Sequence, residues 1–328
     1  MNERVAHARG ALLGLAVGDA LGRPTEGKSP AEIKQRWGRV QDFLSDQPAG
    51  TDDTEYALFA ARLLLRYGFD LTSRAVAQAW REEIISETND YKGAGFSEML
   101  TIANLKRGLQ PPQSGRHLHS WSDGLAMRAA PYGIAAAGNP TLAARLAQTD
   151  GEVSHAGEGI YGGRAVAAAV ALAMTGADCD AIFAAALDAI PEDSWCYRAI
   201  HEGVFIGRQS AEPWQALEHL HATLACHYYH WSDLAPEAVG LAFGVLAAAD
   251  GNFETSVLGG VNVGRDTDTI AAIAGAIAGA KHGIAAIPAH WTARIQTARG
   301  ACIKTVQGMD ILSTAEALAQ LAAERSQA

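Results

Sequence analysis

Two short runs of oxygen-bearing side chains carry the strongest chemical signal in this chain. One is Thr51-Asp52-Asp53-Thr54, following Ala49-Gly50; the other is Gly264-Arg265-Asp266-Thr267-Asp268-Thr269. Each stands where a helix is expected to begin, and short polar side chains are favoured there because they accept from the free amides of the first turn. Capping needs one such side chain, whereas each run supplies two carboxylates and flanking hydroxyls. If the two helix starts meet, Asp52, Asp53, Asp266 and Asp268 converge, and four like charges that close need protons or cations to compensate them. Hard oxygen donors without His or Cys select Mg²⁺, Mn²⁺ or Ca²⁺, and two divalent ions would neutralise four carboxylates.

A third acidic element runs from Gly18-Asp19 through Gly22-Arg23-Pro24-Thr25 to Glu26. Asp19 alone reads as a helix-packing or surface residue. Glu26 follows a Gly/Pro break, where a turn can aim a carboxylate into a cleft, although a solvated Glu is the commoner outcome. Other candidates are weaker. His227 and His230 flank Tyr228-Tyr229 and precede Trp231, but no further Cys/His pair completes a transition-metal set, so a packed aromatic segment is expected, one that could line an adenine-binding wall. His117 and His119 alternate in a loop and are expected to be solvated. Gly162-Gly163 and Gly259-Gly260 do not form the dinucleotide-binding fingerprint, and no Ser or Cys sits in an elbow-type context.

The elements that must position these groups are helices. The chain has 328 residues, with 66 alanines and 34 glycines but only 7% aromatics. Small side chains and few β-branched runs favour closely packed helices, and 48% apolar residues suffice for a large core. The periodicity predicts helices over Arg4–Leu21, Asp53–Tyr67, Ser73–Ser86, Ser97–Arg107, Gly124–Ala137, Leu142–Gln148, Gly159–Thr175, Cys179–Ala189, Trp195–Ile206, Pro213–Leu224, Pro236–Ala249, Phe253–Val261, Thr267–Ala280, Ala289–Val306 and Thr314–Ser326. No stretch alternates as a strand would. The fold class is all-α. Long loops are expected over Thr88–Phe96 and Gly108–Asp123, and with no composition shift a single domain over residues 1–328 is expected.

The net charge of −10 argues against nucleic acid or an anionic membrane as partner. Four scattered cysteines without a CxxC pair suit a reducing compartment. Ala11–Val17 is too short for a signal segment, and the apolar run Ile270–Ala280 reaches about half a bilayer span. A soluble, cytoplasmic protein is expected, monomeric or weakly self-associating.

Taken in order, five pieces of the chain resemble the ADP-ribosylglycohydrolase family, which includes hydrolases that remove ADP-ribose from arginine. They are Gly14-Leu15-Ala16-Val17-Gly18-Asp19-Ala20-Leu21-Gly22 with Glu26; Thr51-Asp52-Asp53-Thr54; Asp123-Gly124-Leu125-Ala126-Met127-Arg128-Ala129-Ala130-Pro131; Ser154-His155; and Gly264 to Thr269. The resemblance implies an all-α domain with two Mg²⁺ or Mn²⁺ ions in a central cleft, held by Thr51, Asp52, Asp53, Asp266, Asp268 and Thr269. It implies that Glu26 lies close to the ions and the scissile ribose. It places Asp123, Gly124 and Leu125 against the ADP-ribose and makes His155 a substrate-side histidine; His155 alone would read as a polar helix-start residue.

The implied activity is hydrolysis of the ribosyl C1 bond of ADP-ribosyl conjugates, protein-linked or small. Cleavage there passes through an oxocarbenium-like state, so nearby carboxylates and a metal-activated water fit the need. Either Asp53 or Glu26 could take the proton. An isoprenoid synthase is a poor alternative, because Asp52-Asp53 opens its helix and Tyr56 stands where that motif needs an acid. An ADP-ribose-binding or catalytically silent family member, or a hydrolase of a smaller riboside, stay open. Two departures from the family pattern bear on substrate: Asp123 stands where Asn is usual, and Arg265 where Gly is usual. An acid at 123 replaces an amide donor by an acceptor, disfavouring phosphate and suiting sugar hydroxyls. Arg265 could bind a phosphate or pair with a neighbouring acid.

Overall fold

In the computed structural model, which describes residues 2–86 and 95–325, seventeen α-helices build the molecule, and no strand occurs among the described residues. The loop expected over Thr88–Phe96 falls outside the described residues as far as residue 94. None of the described helices is long and apolar enough to cross a membrane.

At the centre lie the first helix, Glu3–Gly22, and the helix Thr267–His282, running antiparallel. Both are buried almost all round, so neither shows the one-sided apolar stripe of a surface helix. Gly10, Gly14, Gly18 and Gly22 recur every four residues and so share one face. A Cβ on Gly14 would lie 2.3 Å from the Gly275 carbonyl oxygen, and one on Gly18 only 2.1 Å from that of Ala271. Contact is reciprocal, since a Cβ on Gly279 would meet the Gly10 oxygen at 2.1 Å. Backbone therefore packs on backbone, a separation only glycine permits. The pairing brings Gly22, at the end of the first helix, against Thr267, at the start of the other.

Around this pair pack Asp52–Tyr67, Ala130–Ala135, Glu158–Ala173, Ala235–Ala248 and Phe253–Asn262, forming one continuous apolar core. Most expected helices are present with ends shifted by one to three residues, and the exceptions have local causes. The expected helix Gly124–Ala137 divides into Gly124–Met127 and Ala130–Ala135. Pro131 has no amide hydrogen to carry the helical ladder back to Met127, and Arg128 in the break turns inward to donate to the Gly124 carbonyl at 2.7 Å. Ser73–Ser86 is α-helical only to Ala79 and continues as a π-helix over Trp80–Ile85. Pro30–Trp37 is an additional helix, opened by a capping box between Ser29 and Glu32.

The largest correction concerns Ala289–Val306, where only Ala289–Thr292 is α-helical, with a 3₁₀ turn at Lys304–Val306. Gly300 takes a positive φ of 69°, and the amides of Ala301, Cys302 and Ile303 donate to the buried Glu55 carboxylate at 2.7–2.8 Å. A buried anion that collects three amide donors outweighs continuation of the helix.

The glycine pairing sets a test. Gly14→Ala would gain up to about 1 kcal/mol of helix propensity. The clash with the Gly275 carbonyl should exceed that gain, giving a net loss of about 1–3 kcal/mol, read as a lower urea midpoint. An unchanged or raised midpoint would show that the two backbones can separate freely.

Candidate active site in an acidic cleft

From Gly22 the chain turns through Arg23–Thr25 and delivers Glu26 beside the start of Thr267–His282. Backbone bonds lock the two segments: the Gly27 amide donates to the Arg265 carbonyl at 2.8 Å, and the Arg265 amide to Lys28 at 2.9 Å. The buried hydroxyls of Thr25 and Thr267 lie 2.9 Å apart beneath this turn.

Asp19, wholly buried on the first helix, brings in the second acidic run. Its carboxylate accepts from the Thr51 amide (2.7 Å) and hydroxyl (2.8 Å), and from the Thr54 amide (3.1 Å) and hydroxyl (2.5 Å). An acid that reads in isolation as a packing residue is thus the cap of the helix Asp52–Tyr67, supplied from another element. With both Asp19 oxygens engaged, Asp52 and Asp53 are left to face the cleft.

The two helix starts do meet. One carboxylate oxygen each from Asp19, Asp53 and Asp268 lie within 4.8 Å of one another, as do one each from Glu26, Asp266 and Asp268. Asp268 belongs to both groups. Glu26, Asp53, Asp266 and Asp268 line a cavity of about 800 Å³, together with Thr51, Asp52, Asp123, Gly124 and Thr269, and Asp19 lies buried behind them. Leu125 and His155 stand behind its wall. Leu125 packs where Gly151 and Gly163 leave room, and His155, 1% exposed, reaches the cavity only through Ser122.

Electrostatically the cluster is under-compensated. Burial, reinforced by the neighbouring acids, pushes Asp52, Asp53, Asp123 and Asp266 well above the ordinary carboxylate range, and raises Asp19 and Asp268. Glu26 rises to about 7, chiefly from burial and then from Asp268, with Arg23 opposing. Arg23 pairs with Glu26 and lies 3.7 Å from Asp268. Two buried oxygens at the site, Asp53 Oδ1 and Asp123 Oδ2, have no hydrogen-bond partner. A buried, unpaired carboxylate oxygen is costly unless something meets it. An all-oxygen donor set with such vacancies fits hard divalent cations, and two groups sharing one acid fit two of them.

Several residues behave otherwise than their local sequence suggests. Arg265 does not line the cavity: its guanidinium pairs with the buried Glu237 and donates to the Trp231 carbonyl at 2.8 Å. It holds a positive φ of 69°, next to Gly264 at 83°, so the turn is glycine-like in backbone although the residue is Arg. His117 is not solvated but half-buried, 3.0 Å from the Ser154 carbonyl oxygen, and burial lowers its pKa to about 4. Trp231 stands at the cavity edge against Phe96, His119 and Tyr229, with ring centroids 5.2–5.5 Å away. Glu98 and Asp233 also line the cavity, and no spacing signal marks either of them.

A helical fold that gathers carboxylates at two helix starts defines a hydrolase of ribosyl bonds once its relatives are considered. The ADP-ribosylglycohydrolase family matches residues 1–328, and the chain belongs to that family and is a glycohydrolase. It is 35% identical to an uncharacterised protein of Archaeoglobus fulgidus, over 86% of this chain and 89% of that one. It is 28% identical to the ADP-ribosylhydrolase ARH3 of Danio rerio, over 86% and 84% of the two chains. With the ADP-ribosyl-[dinitrogen reductase] glycohydrolase of Rhodospirillum rubrum the identity is 25%, over 88% and 90%. Among solved structures, an ADP-ribosylglycohydrolase-related protein superposes with a TM-score of 0.68 at 26% identity, covering 98% of this chain and all of the other.

The raised carboxylates make a pH prediction. Between the ordinary carboxylate range near pH 4 and the elevated values, the native state binds more protons than the unfolded chain, so stability falls as pH rises. The melting temperature of chelator-treated protein should therefore drop from about pH 5 to about pH 8. Millimolar Mg²⁺ or Mn²⁺ should restore it most at the alkaline end, where the ligands are deprotonated. A flat profile, indifferent to both ions, would contradict the proposed cation compensation.

Proposed function

We propose that this protein is a metal-dependent hydrolase that cleaves the C1 glycosidic bond of the ribose in ADP-ribosyl conjugates. The observation that carries this reading is the convergence of Asp53, Asp266, Asp268 and Glu26 on one cavity, with Asp53 Oδ1 buried and unpartnered. Two divalent cations, Mg²⁺ or Mn²⁺, would be held by Thr51, Asp52, Asp53, Asp266, Asp268 and Thr269, and when bound they supply Lewis acidity toward ribose hydroxyls and water.

The residues themselves account for the rest of the reaction. As the bond from C1 to the leaving nitrogen or oxygen breaks, its electron pair departs with that atom and positive charge develops on the ribose. The cluster of carboxylates opposes that charge. Water adds its oxygen to C1 and gives up a proton, which the accepting carboxylate returns to the departing nitrogen or oxygen. Glu26 is better placed than Asp53 to take it, because its side chain is 38% exposed at the cavity mouth whereas Asp53 is 2% exposed. Asp53 is then a ligand-holding acid. Asp123 and Gly124 line the substrate cavity directly, while Leu125 and His155 support them from behind.

The net charge of −10 supports a small conjugate or a modified protein as partner, without nucleic acid or an anionic membrane surface. A cytoplasmic location agrees with the scattered free cysteines.

The test is release of free ADP-ribose from ADP-ribosyl-arginine, ADP-ribosyl-serine and O-acetyl-ADP-ribose with Mg²⁺ or Mn²⁺. Asp53→Ala and Asp268→Ala should each lower turnover by about 10²-fold or more and weaken divalent-ion binding in calorimetry, with helical content retained. Glu26→Gln should lower turnover while leaving ion binding nearly intact. Tight ADP-ribose binding by wild-type protein without any turnover of the panel would favour a binding protein instead.

A further inference from the structure

Three segments that border the cavity meet at Arg265. Its backbone pairs with the segment that carries Glu26: the Arg265 amide donates to the Lys28 carbonyl at 2.9 Å, and its carbonyl accepts from the Gly27 amide at 2.8 Å. The next residue in the chain is Asp266, in the second acidic run. Its side chain reaches the third segment, the aromatic edge. Nε and Nη2 fork onto the two Glu237 oxygens at 2.5 and 3.2 Å. Nη2 also donates to the carbonyls of Trp231 at 2.8 Å and Tyr229 at 3.4 Å.

The aromatic edge depends on such ties. Between the helices Pro213–Leu224 and Ala235–Ala248 the chain forms turns and bends without a helix of its own, so no ladder of backbone bonds fixes where Trp231 lies. Glu237 stands in the first turn of the second of these helices, with its side chain wholly buried. Besides Arg265 it accepts from the Cys226 amide at 2.6 Å. One rigidly placed carboxylate therefore holds the start of the segment directly, and its Tyr229–Trp231 end through the guanidinium. A guanidinium forked on a carboxylate fixes orientation as well as distance, which a lysine ammonium would not.

Backbone strain marks the same residue. Arg265 holds a φ of 69°, a conformation that favours glycine. An arginine kept there needs a compensating gain, and the four hydrogen bonds of its guanidinium supply one.

The cavity lining is mostly acidic or small, and its aromatic members are Phe96, His230 and Trp231. Trp231 is 38% exposed, with its ring centroid 5.5 Å from that of Phe96. Aromatic faces offer a flat base the offset stacking that carboxylates cannot.

We infer that Arg265 is a positioning residue for base recognition: it ties Tyr229 and Trp231 to the turn that carries Asp266, and so sets the aromatic edge that takes the flat base of the conjugate at a fixed distance from the acids that act on its ribose. The inference rests on the hydrolase reading above and adds to it the residue that couples the two ends of the substrate.

ADP-ribose and an analogue with hydrogen in place of the adenine are compared by competition calorimetry in Mn²⁺. Wild-type protein should prefer ADP-ribose by about tenfold or more. Arg265→Gly suits the positive φ and keeps the backbone bridge to Gly27 and Lys28, so binding of Mn²⁺ alone should stay within about twofold. With the aromatic edge released, the preference for the base should shrink to within about threefold. Because Arg265→Gly leaves Glu237 buried and unpaired, the double variant Arg265→Gly/Glu237→Gln carries the same expectation; it keeps an acceptor for the Cys226 amide without the charge, and so separates positioning from stability. A purely structural role would weaken both ligands equally and leave the preference unchanged. That result, a wild-type protein indifferent to the base, or a loss of Mn²⁺ affinity of about tenfold in Arg265→Gly would overturn the inference. ADP-ribose release measured in parallel separates the two readings. Release by wild-type protein with an unchanged preference in the variants sinks this inference alone, and a preference lost in the variants without any release by wild type sinks the hydrolase reading alone.

Discussion

Backbone-on-backbone contact between the first helix and Thr267–His282 is the constraint from which the rest of the site follows. The glycines at 10, 14, 18 and 22 set the separation, and their four-residue spacing sets the register. In that register the Asp19 end of one helix lies beside the Asp266–Thr269 start of the other. Helix N-termini tolerate negative charge because unpaired amides and the aligned peptide dipoles oppose it. Two such starts placed together, at Asp52 and Thr267, form a pocket in which several carboxylates can be confined.

Confinement still has an electrostatic cost, and the protein handles its buried acids in two ways. Asp19 and Glu55 are fully provided for inside the protein: Thr51 and Thr54 donate to Asp19, and three consecutive amides to Glu55. Both fasten a distant segment to the helix Asp52–Tyr67 or to the first helix, and Asp19 in addition lies against Asp53 and Asp268. Asp53, Asp123, Asp266 and Asp268 have no such provision, and Arg23 meets only part of the charge at one edge. Such a cluster destabilises the native state unless protons or other charges compensate it.

The cavity wall opposite shows how a second layer gives meaning to the first. Ser97 and Ser122 are chemically ambivalent, since a hydroxyl both donates and accepts. A buried hydrogen-bonded chain from Arg128 through Ser154 and His155 engages both of them from behind the wall. Arg265 has an analogous role at the other side, where its pairing with Glu237 and its bond to the Trp231 carbonyl hold the aromatic edge of the cavity. Its positive backbone angle at a glycine-favoured position is the local cost of that tie.

The helical class, most helix positions and the two acidic runs were legible in the sequence because they rest on local rules: small-residue periodicity, helix-start chemistry and the clustering of short oxygen-bearing side chains. The order of five motifs likewise pointed to the family that whole-chain similarity establishes. Tertiary structure decided what local rules cannot reach. Whether Asp52-Asp53 meets Asp266 and Asp268 depends on helix pairing across more than 200 residues of chain. Asp19 could not be told from a packing acid until Thr51 and Thr54 were seen on it. The segment 293–303 leaves its helical pattern because Glu55, far away in sequence, offers its amides a buried carboxylate. Arg265, His117, Glu98 and Asp233 take their roles from partners on other elements. A residue type fixes which hydrogen bonds and charges are possible, and only the fold decides which of them are already taken.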